Sequence, residues 1–191
     1  MRLLLISSSN VHGYGYLDQP EPAIRAFLGG AHRVAFVPFA AHDHAAYTTK
    51  MRERLARMSL EVISIEELDN ADAVFVGGGN TFRLLKTLYE RNLLDIVRER
   101  VRGGLPYIGS SAGTVITAPT IRTTNDMPIV YPPSFDSLGL VTFQINPHYL
   151  DADPSSTHKG ETREDRIREF HEENERPVVG LREGSMLRVS D

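Results

Sequence analysis

The chain has 191 residues, enough for one α/β domain with a full core and too few for a second. It contains no cysteine, which excludes disulfides, thiolate nucleophiles and cysteine zinc sites. Its formal charge of −4, with no Lys/Arg run, offers a nucleic-acid backbone no electrostatic footprint.

In chain order, the first apolar run covers 3–6, turns polar at Ser7 and is too short for a signal segment, so it reads as a buried strand. Further strand-like runs follow at 33–37, 60–65, 73–76, 105–109 and 143–145. Two more, 178–181 and 186–189, read as a closing pair around Arg182-Glu183-Gly184-Ser185. Helical spacing appears between them at 21–28, 44–58, 81–89, 93–101 and 162–171; Met51, Leu55 and Met58 mark one face of the second, and Ile167 and Phe170 the inner face of the last. Alternation of this kind predicts a mostly parallel sheet with helices on both faces, hence a three-layer α/β/α domain over 1–191. No stretch approaches the length of a membrane span, so a soluble, cytoplasmic protein is expected. The polar, irregular stretch 119–133 is long for a connection and reads as functional.

Gly109-Ser110-Ser111-Ala112-Gly113 follows the fifth run, and Thr114-Val115-Ile116 can open a helix. That is the G-x-S-x-G pattern in its strand–turn–helix setting, where a tight bend lifts a serine hydroxyl clear of the sheet edge. Ser111 holds the central place and Ser110 the variable one. The N–H of Ala112 is then the first candidate oxyanion donor. Val76-Gly77-Gly78-Gly79-Asn80 follows another strand and matches no phosphate-binding loop; Gly78 or Gly79 suits the second donor.

A serine nucleophile needs a base. Of seven histidines, His12 and His32 sit in turns, His158 in a polar loop, and His171 at the end of a charged helix. His42 and His44 flank Asp43, but no third and fourth ligand makes them a metal pair. His148 follows Gln144-Ile145-Asn146-Pro147 at a strand end, the place where open α/β sheets bind ligands. The carboxylate that orients it is Asp126 or Glu183; spacing alone leaves both open.

Several of these segments together resemble the peptidase E (aspartyl dipeptidase) family of serine peptidases: Gly77-Gly78-Gly79-Asn80-Thr81-Phe82, Ser111-Ala112-Gly113, the stretch 119–130, Gln144-Ile145-Asn146-Pro147-His148, and His158-Lys159-Gly160-Glu161-Thr162-Arg163. The resemblance implies a fold like class I glutamine amidotransferases and a Ser111-His148-Glu183 triad, with Asp126 moved to the substrate site. It also implies hydrolysis of peptides with an N-terminal aspartate, without metal or cofactor. Gly79 and Ala112 are then the expected oxyanion donors. Arg163 is the expected cation for the aspartate carboxylate, with Asn80, Asp126 and Glu161 as further substrate contacts. Two departures stand out. Ser110 replaces a tryptophan common in the family and is expected to reshape the pocket. The chain stops at Asp191, so an open sheet edge covered by homodimerisation or a higher homo-oligomer is expected. Competing expectations are a cyanophycinase-like hydrolase or broader aminopeptidase or esterase, a non-catalytic binding module, and a metal hydrolase on His42 and His44.

Overall fold

The computed structural model describes residues 1–152, 155, 157 and 160–190. His158 and Lys159 of the last matched segment lie outside the described residues, as does Asp191. Among the described residues there are eight strands: β1 (Arg2–Ile6), β2 (Arg33–Val37), β3 (Glu61–Ser64), β4 (Ala73–Val76), β5 (Tyr107–Ser110), β6 (Gln144–Tyr149), β7 (Val178–Arg182) and β8 (Met186–Ser190). The helices are α1 (Glu21–Leu28), α2 (His44–Ala56), α3 (Thr81–Glu90), α4 (Leu93–Arg102), α5 (Ala112–Val115) and α6 (Arg163–Glu173), with a 3-10 turn over Ile65–Asn70.

Strands β3-β2-β4-β5-β1-β8 form one sheet in that order, parallel except for β8, which runs antiparallel to β1. Successive strand residues point to opposite faces. Leu3, Leu5, Val74, Val76 and Tyr107 pack with α3 and α4 on one face. Leu4, Ile6, Phe36, Phe75 and Ile108 pack with α1 and α2 on the other. Covered on both sides, the strands read as continuous apolar runs, and each buried Leu, Ile or Phe contributes about 1.5–3 kcal/mol. This is the three-layer architecture that the alternation predicts.

Three local expectations differ from the structure. First, β7 and β8 do not pair with each other: β7 joins β6 in a separate parallel ribbon, and β8 joins β1. The intervening turn closes with Ser185 N–H donating to Arg182 O at 3.0 Å, but the flanking strands leave it for different sheets. Second, α2 ends at Ala56, because Leu60 N–H turns back onto Leu55 O and Ser59 adopts a positive φ of 63°. Third, Ile167 and Phe170 are only half-buried, and α6 has no fully buried residue.

Arg54 ties α2 to the chain after β1. Its guanidinium is buried, with Nε donating to Tyr16 O at 2.7 Å and Nη2 to Leu17 O at 3.1 Å. Nη2 also pairs with Asp18 Oδ1 at 2.9 Å and Glu21 Oε2 at 2.5 Å. A buried charge is tolerated only when paired and hydrogen-bonded in this way. The consequence is that Tyr16 is held over the same end of the sheet as α2. No helix of the described residues is long and apolar enough to cross a membrane.

Candidate active site

Ser111 follows β5 and caps α5 at φ 51°, ψ −110°, a backbone conformation rare for a residue with a Cβ. Such a conformation costs on the order of 1–3 kcal/mol and persists only where the surroundings over-determine it. Here Ser111 N–H donates to Ile6 O at 3.0 Å, and the buried Tyr107 hydroxyl donates to Gly113 O at 2.5 Å. The Thr114 hydroxyl lies within hydrogen-bond reach of Ile6 O and Gly109 O, at 2.8 and 2.9 Å.

The flanking glycines are steric requirements. A Cβ on Gly109 would lie 2.5 Å from Gly113 O, and one on Gly113 would lie 2.1 Å from Val76 O. The obstacle in both cases is backbone, which cannot swing aside. Gly113→Ala is therefore expected to cost about 2 kcal/mol or more and to lower the thermal midpoint by several degrees. An unchanged midpoint in a calorimetric scan overturns this reading of the elbow.

Ser110 points the other way. It is 1% exposed, and its Oγ has no hydrogen-bond partner among the described residues. It does not line the cavity above Ser111, so its small size acts in the interior rather than on the pocket wall as expected.

His148 lies within β6 rather than past a strand end. The β6–β7 register runs Pro147↔Leu181 and then Tyr149↔Arg182, leaving His148 as the extra residue of a bulge at φ 55°. A bulge re-aims one side chain without ending the strand. His148 N–H donates to Ser7 Oγ at 3.0 Å, and the Ser7 hydroxyl donates to Leu181 O at 3.0 Å. Buried Ser7 thus ties both strands of the ribbon to the end of β1. On the far side, Asn125 Nδ2 donates to Pro147 O at 2.8 Å, and Asn146 Nδ2 donates to Thr123 O at 2.8 Å and to Asn125 Oδ1 at 2.9 Å. The irregular stretch after the elbow is therefore a brace for β6.

These supports bring three side chains into line. The Ser111 hydroxyl donates to His148 Nε2 at 2.8 Å. His148 Nδ1–H donates to Glu183 Oε1. Glu183 follows β7 directly, and its turn is held by Gly184 at φ 74° and by Gln19 Nε2 donating to Gly184 O at 2.9 Å. In this tautomer Nε2 carries the lone pair that a base needs.

Ser111 and His148 open into a cavity of about 370 Å³. It sits where the carboxyl ends of β1, β2, β4 and β5 meet, represented by Ser8, Ala41, Gly79 and Ser111. Tyr16, Tyr47 and Lys50 also line it. Gly78 N–H donates to the Tyr47 hydroxyl at 3.0 Å. By contrast, the N–H groups of Gly79 and Ala112 have no acceptor among the described residues. Burial raises the pKa of both Tyr16 and Tyr47, so their hydroxyls stay neutral.

The structure places the expected substrate contacts elsewhere; none of Asn80, Asp126, Glu161 and Arg163 lines this cavity. Asn80 caps α3, accepting from Arg83 N–H at 3.0 Å. Asp126 Oδ2 accepts from Thr81 N–H at 2.7 Å and from the Thr81 hydroxyl at 2.6 Å. Glu161 is exposed, 3.6 Å from Arg166 Nε, and with Asp126 lines a second cleft against α6. Arg163 Nη1 donates to Asn125 Oδ1 at 2.8 Å, within the brace of β6. Asp43, between His42 and His44, caps α2, and no group of three or more potential metal ligands occurs among the described residues.

Sequence reasoning missed Ser7, Tyr16, Tyr47 and Lys50. The polar run Ser7-Ser8-Ser9 after an apolar strand was a readable signal for the first. Tyr47 and Lys50 lie three apart on α2 and share a face, but nothing local says that this face overhangs the glycine loop.

The Peptidase family S51 model matches residues 3–191. A Streptomyces coelicolor protein named "Peptidase E" is 59% identical over 196 residues, covering 99% of this chain and 81% of that protein. A Drosophila melanogaster protein named "Probable alpha-aspartyl dipeptidase" is 50% identical over 197 residues, covering 98% of this chain and 82% of its own length. A solved structure from Listeria monocytogenes EGD-e, described as "a Putative Peptidase E Protein", superposes with a TM-score of 0.74 at 26% identity, covering 98% of this chain and 93% of that one.

Proposed function

Because the chain belongs to peptidase family S51, we propose that it hydrolyses dipeptides and short peptides with an N-terminal aspartate through an acyl-enzyme on Ser111. The protein is a serine dipeptidase, as its family and its relatives indicate. The aspartate preference draws on the name of the Drosophila relative. The observation that carries the mechanism is the unbroken hydrogen-bonded run Ser111–His148–Glu183 at the mouth of the cavity.

In this reading, Ser111 Oγ bonds to the scissile carbonyl carbon as its proton passes to His148 Nε2. Glu183 stabilises the imidazolium and holds its tautomer. The N–H groups of Gly79 and Ala112 receive the carbonyl oxygen as it becomes an oxyanion. The C–N bond then breaks and Nε2 returns its proton to the leaving amine. Water, deprotonated by the same nitrogen, releases aspartate and restores the Ser111 hydroxyl. No step calls for a metal. Residues 1–191 act as one catalytic unit, and a cytoplasmic location belongs to the same reading.

Tyr47 enters through the glycine loop. Its hydroxyl takes Gly78 N–H, which leaves Gly79 N–H to the substrate. Tyr47→Phe removes that acceptor and is expected to lower kcat about 10-fold with a smaller change in KM, the signature of lost transition-state stabilisation. A wild-type kcat in Tyr47→Phe removes the loop from the oxyanion site.

The test of the whole reading is a panel of Asp-, Glu-, Ala- and Leu-p-nitroanilides. Asp-p-nitroanilide is expected to be cleaved fastest, with full activity in EDTA. Equal rates on Ala or Leu favour a broader aminopeptidase, and activity lost to EDTA favours a metal enzyme.

A further inference from the structure

Aspartate differs from its neutral isostere asparagine by one negative charge, so a preference for it is served most directly by a positive group in the cavity that holds the nucleophile. The cavity above Ser111 has one cation among its described lining residues, Lys50, and no carboxylate. Lys50 lies on α2, one turn beyond Tyr47, and its Nζ stands 4.0 Å from the centre of the Tyr16 ring. The aromatic face steadies an ammonium without neutralising it. The neighbouring depression that Lys50 also borders contains Asp18 and Glu53. Asp18 is already paired with Arg54 at 2.9 Å, and Glu53 makes no ion pair with Lys50 among the described residues. The charge is therefore unspent. Arg163, by contrast, is hydrogen-bonded to Asn125 and lines no part of the cavity.

We infer that Lys50 is the specificity-determining residue that receives the side-chain carboxylate of the N-terminal aspartate, a conclusion that rests on the aspartyl-peptidase reading above. The ammonium and the Tyr16 ring line the same cavity as Ser111 and His148. A lysine here is a point charge on a flexible stem, so it accepts a carboxylate without demanding bidentate geometry.

The test compares Asp- and Asn-p-nitroanilide on wild type, Lys50→Met, Lys50→Arg and Arg163→Ala. Lys50→Met keeps an apolar stem against Tyr16 and loses the charge. It is expected to lower kcat/KM on Asp-p-nitroanilide about 10- to 100-fold, mostly through KM, and to affect Asn-p-nitroanilide several-fold less, so that the Asp/Asn ratio collapses. Lys50→Arg is expected to recover part of the Asp preference, and Arg163→Ala to retain it. Fluorophosphonate labelling of Ser111 at the wild-type rate in Lys50→Met shows that the triad is intact. A wild-type Asp/Asn ratio in Lys50→Met, or its collapse in Arg163→Ala alone, overturns the assignment of Lys50. A wild type that does not favour Asp over Asn overturns the aspartyl reading itself, before any variant is compared.

Discussion

Ser111→Ala is expected to abolish hydrolysis of Asp-p-nitroanilide, with kcat falling on the order of 10⁴–10⁶-fold. Alanine deletes the only atom that bonds to the substrate and leaves the elbow otherwise unchanged, so the melting midpoint should hold. The informative partner is Ser110→Ala. Both serines belong to the same pentapeptide, yet the bend turns one hydroxyl to His148 and the other into the core. The buried Ser110 hydroxyl has no partner among the described residues, so its removal should be neutral or slightly stabilising and should spare kcat. Steady-state kinetics and a thermal scan on both variants decide the matter. Comparable loss of kcat in the two overturns the nucleophile assignment.

Glu183→Gln is the second large effect, expected at about 10²–10⁴-fold in kcat with little change in KM. The amide has the same shape but no charge, so it cannot stabilise the imidazolium formed as the proton leaves Ser111. Turned the other way, its NH₂ group would face Nδ1 and favour the tautomer with hydrogen on Nε2, which cannot accept that proton. The upper end of the range belongs to buried triads; the Glu183 side chain is 42% exposed, and solvent screens part of its charge. Proton NMR offers an independent readout, since the downfield Nδ1–H signal of His148 should be lost or shifted in the variant. Glu161→Gln, on an exposed carboxylate outside the cavity, serves as the control. A wild-type kcat in Glu183→Gln removes the carboxylate from the mechanism.

These expectations divide between what is local along the chain and what is not. The G-x-S-x-G elbow was legible because its demands are local. A strand must deliver the serine, two positions must lack a Cβ, and the helix must start at once. The structure supplies the steric reason at each glycine, with Val76 O and Gly113 O standing where a Cβ would be. The five parallel strands were legible for a similar reason, since burial on both faces writes uninterrupted apolar runs.

His148 was found by its neighbourhood, but its geometry was not. The bulge arises because β6 and β7 slip one residue between Pro147 and Tyr149, and that slip depends on a strand thirty residues away. The pairing of β7 and β8 was misread because two short apolar runs around a Gly-containing turn look like a hairpin. Which partner each strand takes is settled by the edge of β1 and by Ser7, which is remote from that turn along the chain and meets it only in the fold, where Ser7 N–H donates to Ser185 O at 3.1 Å. The substrate wall was missed for the same reason. Tyr47 and Lys50 look like ordinary polar positions on an amphipathic helix until Arg54, on that helix, anchors Tyr16 beside them.

The sequence by itself determined the layers, the order of elements along the chain and the position of the serine elbow, because hydrophobic period and glycine sterics act over a few neighbouring residues. Only the tertiary structure decided how His148 is turned, which serine faces it, that Glu183 meets the imidazole, and that Lys50 stands in the cavity. Those facts depend on contacts between segments tens of residues apart, where register and burial, rather than local preference, set the outcome.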